Sequence, residues 1–240
     1  MSNNTIRFDW AITHLLRNKA NYKVLEGFFS ELLCENLTIV NIAESEGIQD
    51  SAEDKFKSVD ILAENSKKEV IIINLQNNNQ TDYFPRMEHG ASRAIKNMSL
   101  GDIKVRKVYS VNIIYSETGQ DGDYVYHGCN KFLGIHENDL LQLSDNQKDF
   151  FGKDILGYIF PEYYIIKVND FNDIAKDTLD EWIYYLKNDE IRDEFKAKGL
   201  AEARKILRVD RLSEEEKQVY YNYIEIQNLP DTTAIKSNIS

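Results

Sequence analysis

The sequence predicts an α/β domain, α+β in arrangement, with one mixed sheet flanked by helices and a helical C-terminal region. Three observations carry that prediction. Glu69–Gln76 reads EVIIINLQ, a near-continuous apolar run of the kind that central strands buried on both faces show. Tyr22–Leu33 places Val24, Leu25, Phe28, Phe29, Leu32 and Leu33 on one helical stripe. The elements then run αα–ββ–β–α–β before a helical tail, an order that suits a sheet covered by helices.

Phe8–Asn18 reads as a first short helix, Tyr22–Leu33 as a second and Leu37–Ala43 as a short strand. Glu44–Lys55 is an acidic, polar connection. Ser58–Ala63 is a strand, Glu64–Lys68 a polar turn and Glu69–Gln76 the next strand. From Asp82 to Met98 the pattern is helical, with Asp82 as N-cap and Pro85 in the first turn. Lys107–Tyr115 (KVYSVNIIY) is a third core strand. Asp123–His127 and Lys131–His136 read as a hairpin around Gly128–Asn130, and Pro161–Val168 as a further strand. Phe171–Leu186, Glu190–Leu207 and Ser213–Ile226 read as three helices, the last opened by a capping box from Ser213 to Glu216. Residues 1–168 are expected to form the α/β core, with 169–240 a helical extension packed on the same domain.

The 240 residues are 42% hydrophobic and 11% aromatic, enough for one buried core, and only 3 prolines and 11 glycines argue against long linkers. No stretch approaches the roughly 20 apolar residues of a membrane helix, and Met1–Asp9 lacks a secretory apolar region, so a cytoplasmic protein with no membrane association is expected. Cys34 and Cys129 read as reduced, partly buried thiols; His127 and Cys129 lack the second pair that structural zinc needs. The net charge of −11 requires any basic DNA track to be local. Arg86, Arg93 and Lys96 on one helix, and Lys104, Arg106 and Lys107 just after it, are the candidates; a solvated helix face and a charged strand entry account for them equally well.

Asp60, Asn74 and Gln76 stand out chemically. A carboxylate in a strand between Val59 and Ile61 is costly unless paired, hydrated or metal-bound. Asn74 and Gln76, two apart, share one strand face, and the short turn can bring them beside Asp60. Magnesium takes hard oxygen ligands at about 2.0–2.1 Å, usually one or two carboxylates completed by waters and phosphate oxygens. The same three side chains could instead satisfy backbone groups at a strand end.

The stretch VDILAENSKKEVIIINLQNNNQTDYFPRMEHGASRAI resembles the core of the PD-(D/E)XK nuclease family transposases, the Rpn recombination-promoting nucleases. Their pattern is an Asp on one strand, Glu-x-Gln on the next, then a helix opening with an Arg. FDWAITHLLRNKANYKVLEGFFSELL and FPEYYIIKVNDFNDIAKDTLDEWIYYLKN are similar to stretches of one branch of that family, so the likeness spans roughly Arg7 to Tyr223. It implies a restriction-endonuclease-like PD-(D/E)XK core and a magnesium-dependent DNA endonuclease, with manganese as an alternative ion. By that resemblance Asp60 matches the metal-binding Asp, Gln76 the Gln that orients the attacking water, and Arg86 the helix-opening Arg; Glu26 lies where the fold often adds an acid from an early helix.

Two positions depart from the pattern. The family's Glu is Asn74 here, which offers an amide oxygen without charge, and His89 stands where an aromatic is common. The resemblance therefore implies a metal site of Asp60 and Asn74, catalytic positions Asp60, Asn74, Gln76 and Glu26, and DNA contacts from Arg86, His89 and Arg93. His89 shares a helical face with Arg86 and Arg93, although a partly buried helix histidine is the plainer reading. An attenuated endonuclease and a catalytically inactive module binding DNA or a protein partner are the two functions these residues allow. A helix continuing beyond Tyr223 would break at Pro230. A homodimer is expected for cutting both strands of a duplex, with Leu179, Trp182, Ile183 and Leu186 as its possible interface.

Overall fold

A computed structural model describes residues 4–44, 58–76, 83–97, 107–115, 122–152 and 154–227. Helices α1 (Phe8–His14) and α2 (Tyr22–Leu32) precede strands β1 (Ile39–Glu44), β2 (Ser58–Asn65) and β3 (Val70–Gln76). Helix α3 (Tyr83–Asn97) leads to β4 (Val108–Ile114) and β5 (Val125–Gly128), then α4 (Asp145–Phe151) and β6 (Glu162–Lys167). Helices α5 (Thr178–Asn188), α6 (Leu200–Ile206) and α7 (Glu214–Gln227) follow.

The six strands form one mixed sheet in the order β1-β2-β3-β4-β6-β5. The β1–β2, β2–β3 and β5–β6 pairs are antiparallel, whereas β3–β4 and β4–β6 are parallel. Parallel neighbours need a crossover, which α3 supplies between β3 and β4. One sheet face buries Ala63, Ile71, Ile73, Val111, Ile113 and Ile166 in the main core, together with side chains of α1, α2 and α5–α7. The other face holds a small cluster, Val70, Ile72 and Val108, on the side where α3 contacts β3 and β4.

The main core is aromatic at its centre. Phe8 meets Phe28, Trp182 and Tyr185 edge-on at 5.5, 5.9 and 6.1 Å between centroids. Each such pair contributes about 0.5–1.5 kcal/mol beyond area burial. Trp182 and Ile183 are fully buried and Leu186 nearly so, so the expected dimer surface on this late helix is spent inside the chain. The N-terminal segment is bonded to the helical tail: Ile6 N donates to Leu207 O at 2.9 Å, and Tyr185 Oη donates to Ile6 O at 2.6 Å.

Several elements differ from the sequence reading. The first helix stops at His14, and Asn21 Nδ2 donates to the carbonyl of Leu15 beyond its end. β5 pairs with β6, so Asp123–His127 does not form a hairpin with Lys131–His136; a nearby long-range strand outcompetes the local partner. The helix expected from Phe171 begins at Thr178, where Asp177 accepts from the Asp180 N–H at 2.9 Å. Residues 190–199 are not helical, because side chains satisfy their backbone: Glu181 Oε2 accepts from Lys196 N and Ala197 N, and Glu31 Oε1 from Lys198 N. Helix α4 was not anticipated, although Ser144 and Gln147 form a reciprocal capping box. The Ser213–Glu216 box is present, with Ser213 N donating to Glu216 Oε2 at 2.8 Å and Glu216 N to Ser213 Oγ at 3.2 Å. Cys34 and Cys129 are both exposed, one just past α2 and one just past β5. The connection over 45–57, Asp82, Lys104 and Arg106 lie outside the described residues.

A charged cluster ties α1 to the end of α5. Arg7 Nη2 donates to Asp9 Oδ2 at 2.7 Å, and the buried Asp9 also accepts from Trp10 N at 2.7 Å. Asp189 ends α5 at φ 52°, and burial pushes its carboxyl up to about 7, opposed by Arg7 and reinforced by Asp9. Tyr115, Tyr185 and Tyr220 share the same electrostatic environment. The folded value lies above the unfolded one of about 3.9. The folded state therefore binds more protons between about pH 4 and 7, and the stability this group supplies is present below that window and lost as pH rises through it. Asp189→Asn keeps a residue that tolerates the left-handed region. Its Tm should exceed the parent's at pH 8 and converge with it towards pH 4 in a thermal-shift series; a difference independent of pH would contradict this.

Candidate active site

The β2–β3 register sets Asp60 directly opposite Asn74 and Ser58 opposite Gln76. Opposed residues in an antiparallel pair, and residues two apart in one strand, share a face. Asp60, Asn74 and Gln76 thus occupy one face near the end of β3. It is the face of Val70, Ile72 and Val108, where α3 packs, and those apolar residues fill the far end of the hairpin. The side-chain atoms of Asp60, Asn74 and Gln76 lie outside what is described, as do those of Arg86 and Arg93.

The row continues into β4, where Asn112 pairs with Asn74 and Ile114 with Gln76. Asn112 is buried in the central parallel strand, its Nδ2 donating to Tyr164 O at 3.1 Å, Ser110 O at 3.2 Å and Ser110 Oγ at 3.3 Å. Sequence reading passed over this residue. Its signal was a lone carboxamide inside KVYSVNIIY, where a buried polar group needs hydrogen-bond partners.

Other expected residues are placed elsewhere. Glu26 Oε1 accepts from Ile39 N at 2.8 Å, and Ile39 pairs with Asn65 at the opposite end of β2. Five residues of strand, roughly 16 Å, separate Asn65 from Asp60. Glu26 therefore satisfies the first N–H of β1 and does not join the acid–amide row. Lys107 is withdrawn from any DNA track: its Nζ is buried, 2.6 Å from Glu162 Oε1, and donates to Phe160 O at 2.9 Å. Burial works against ionisation of Glu162, but hydrogen bonds from Lys107 and His127 outweigh it and hold that carboxyl below its usual range. His127 Nε2 lies 2.8 Å from Glu162 Oε2 and stacks on Tyr164, so it serves this ion pair.

On α3, Gly90 and Ala91 are buried while His89 is exposed rather than partly buried. Helical spacing sets Arg86, His89 and Arg93 on one stripe of α3. Among the described residues no three His, Cys, Asp or Glu side chains form a metal-holding group. Asp60, the directly paired Asn74 and Gln76 one pleat on offer one carboxylate and two neutral amides, a set that fits a magnesium ion only if water and phosphate oxygens complete its shell.

A mixed sheet of this order, with an acid and a polar pair on its antiparallel hairpin and a crossover helix beyond, is consistent with the restriction-endonuclease-like nuclease fold. A family model described as PD-(D/E)XK nuclease family transposase matches residues 6–232, and the chain belongs to that family. No curated protein and no solved structure matches it at a significant level. Among the described residues no helix is long and apolar enough to cross a membrane.

Proposed function

We propose that this chain is a magnesium-dependent DNA endonuclease of the cytoplasm, attenuated because Asn74 stands where its relatives place a metal-binding Glu. The observation that carries the reading is the direct pairing of Asp60 with Asn74 in a chain of this family. Asp60 would be the charged metal ligand and Asn74 a neutral one through its amide oxygen. Gln76, one pleat further on, would orient the attacking water. Arg86, with His89 and Arg93 on the same stripe of α3, would hold the DNA phosphates. When bound, magnesium supplies polarisation of the phosphate and a lowered pKa for the water, with manganese able to substitute. A duplex cut needs two such sites, hence two chains related by a twofold axis.

A second reading is a nuclease-fold module that binds DNA or a protein partner without cleaving. The neutral Asn74 and the net charge of −11 favour it. Plasmid nicking titrated with Mg2+ and Mn2+ separates the two. The endonuclease reading expects slow nicking that rises with either ion and stops in EDTA. Retained DNA binding in EDTA, with no cleavage in any divalent ion, would establish the module instead.

A further inference from the structure

Of the exposed large apolar side chains among the described residues, most lie in one stretch, the insertion between β5 and β6. Phe132 is 43% exposed, Leu133 59%, Ile135 93%, Leu140 50%, Leu141 58% and Phe150 54%. Between Cys129 and Ser144 only Leu143 is buried. The stretch is nonetheless built. Leu141 N donates to Phe132 O at 2.9 Å, Leu133 bridges Leu140, Gly134 N donates to Asp139 O at 2.8 Å, and the ring of Phe132 rests 5.1 Å from that of Phe160. An ordered turn that displays its leucines to water is not explained by the chain's own core.

We infer that this insertion is the contact surface of a homodimer, each copy covering the other's apolar turn. With Ile155 and Tyr158, 57% and 45% exposed, the insertion's apolar residues expose on the order of 900 Å² in all. That area matches the roughly 800 Å² per partner that a stable interface covers. Charge argues against nucleic acid as the occupant, since the acids between Cys129 and Pro161 outnumber the lysines and there is no arginine. The exposed apolar side chains are complementary to those of a second copy, which is what a twofold contact requires. The insertion leaves and rejoins the sheet where β6 begins, with Gly128 opposite Tyr163. Asn74 and Gln76 lie where β3 ends, so a second copy docked here leaves both acid–amide rows open.

This surface deepens the two-chain expectation of the proposed function, but it stands on exposure alone and not on metal chemistry. Light scattering of the full chain at micromolar concentration should give the mass of two chains. Ile135→Glu combined with Leu141→Glu should raise the dimer dissociation constant at least about thirtyfold, with unchanged circular dichroism, because both side chains face solvent in the single chain. Ile174→Glu, exposed elsewhere, should leave the dimer intact. Amide exchange over 132–141 in the unaltered chain should slow as concentration rises, a readout that needs no variant. A monomeric parent, a dimer that survives the double substitution, or exchange independent of concentration would each overturn the surface while leaving the metal-dependent reading of the hairpin intact.

Discussion

Asn74→Glu is expected to tighten magnesium binding about tenfold or more and to raise metal-dependent DNA cleavage. Asp60 pairs directly with position 74, so the substitution sets a second carboxylate beside the first on the same face. Like charges facing each other across a strand pair are destabilising. In EDTA the variant should therefore melt below the parent, and added magnesium should raise its Tm more than the parent's, because an ion that binds only the folded state stabilises it. Asp60→Ala in the Asn74→Glu background should remove both the thermal gain and the added cleavage, since the ion is then again held by a single carboxylate, as in the parent. Calorimetric titration and plasmid nicking measure the two effects. The idea fails if Asn74→Glu folds normally, binds magnesium no better and leaves cleavage unchanged; the binding-module reading would then be the stronger.

Gly27→Ala is expected to be the most destabilising small substitution in the helical layer. A Cβ there would fall well inside van der Waals distance of the Lys198 carbonyl oxygen and Gly199 Cα, both backbone atoms. The approach is mutual: a Cβ on Gly199, whose φ is +82°, would lie 2.9 Å from Gly27 Cα and from Val24 O. Backbone cannot swing aside as a flexible side chain would, so α2 must separate from the start of α6. A loss of about 3 kcal/mol is the expected scale. For a chain of this length that lowers Tm by roughly 6–12 °C. Gly122→Ala, with nothing within 4 Å of its Cβ, is the control and should change Tm little. Equal melting temperatures for the two variants would contradict the close approach.

The sequence by itself determined the features whose cause is local. The apolar run over Val70–Ile73 made β3 a central strand, and the two-residue spacing of Asn74 and Gln76 put them on one face whatever their neighbours were. The stripe on α2 and the Ser213–Glu216 box depend on residues within a few positions of one another, and they were legible for that reason. That position 74 carries an amide without charge is written in the residue itself. Tertiary structure decided everything that depends on pairing between distant segments. Register alone sets Asp60 opposite Asn74 and extends the row to Asn112, because a shift of one residue would move every side chain to the other face. The same long-range pairing gave β5 to β6 in place of Lys131–His136, took Glu26 to the first N–H of β1 and buried Lys107 against Glu162. Leu179, Trp182, Ile183 and Leu186 and the leucines of the 132–141 turn are equally apolar in sequence. Only the packing of α5 against Phe8 and Phe28 covers one set and leaves the other facing water, because burial depends on what the rest of the chain brings to that surface.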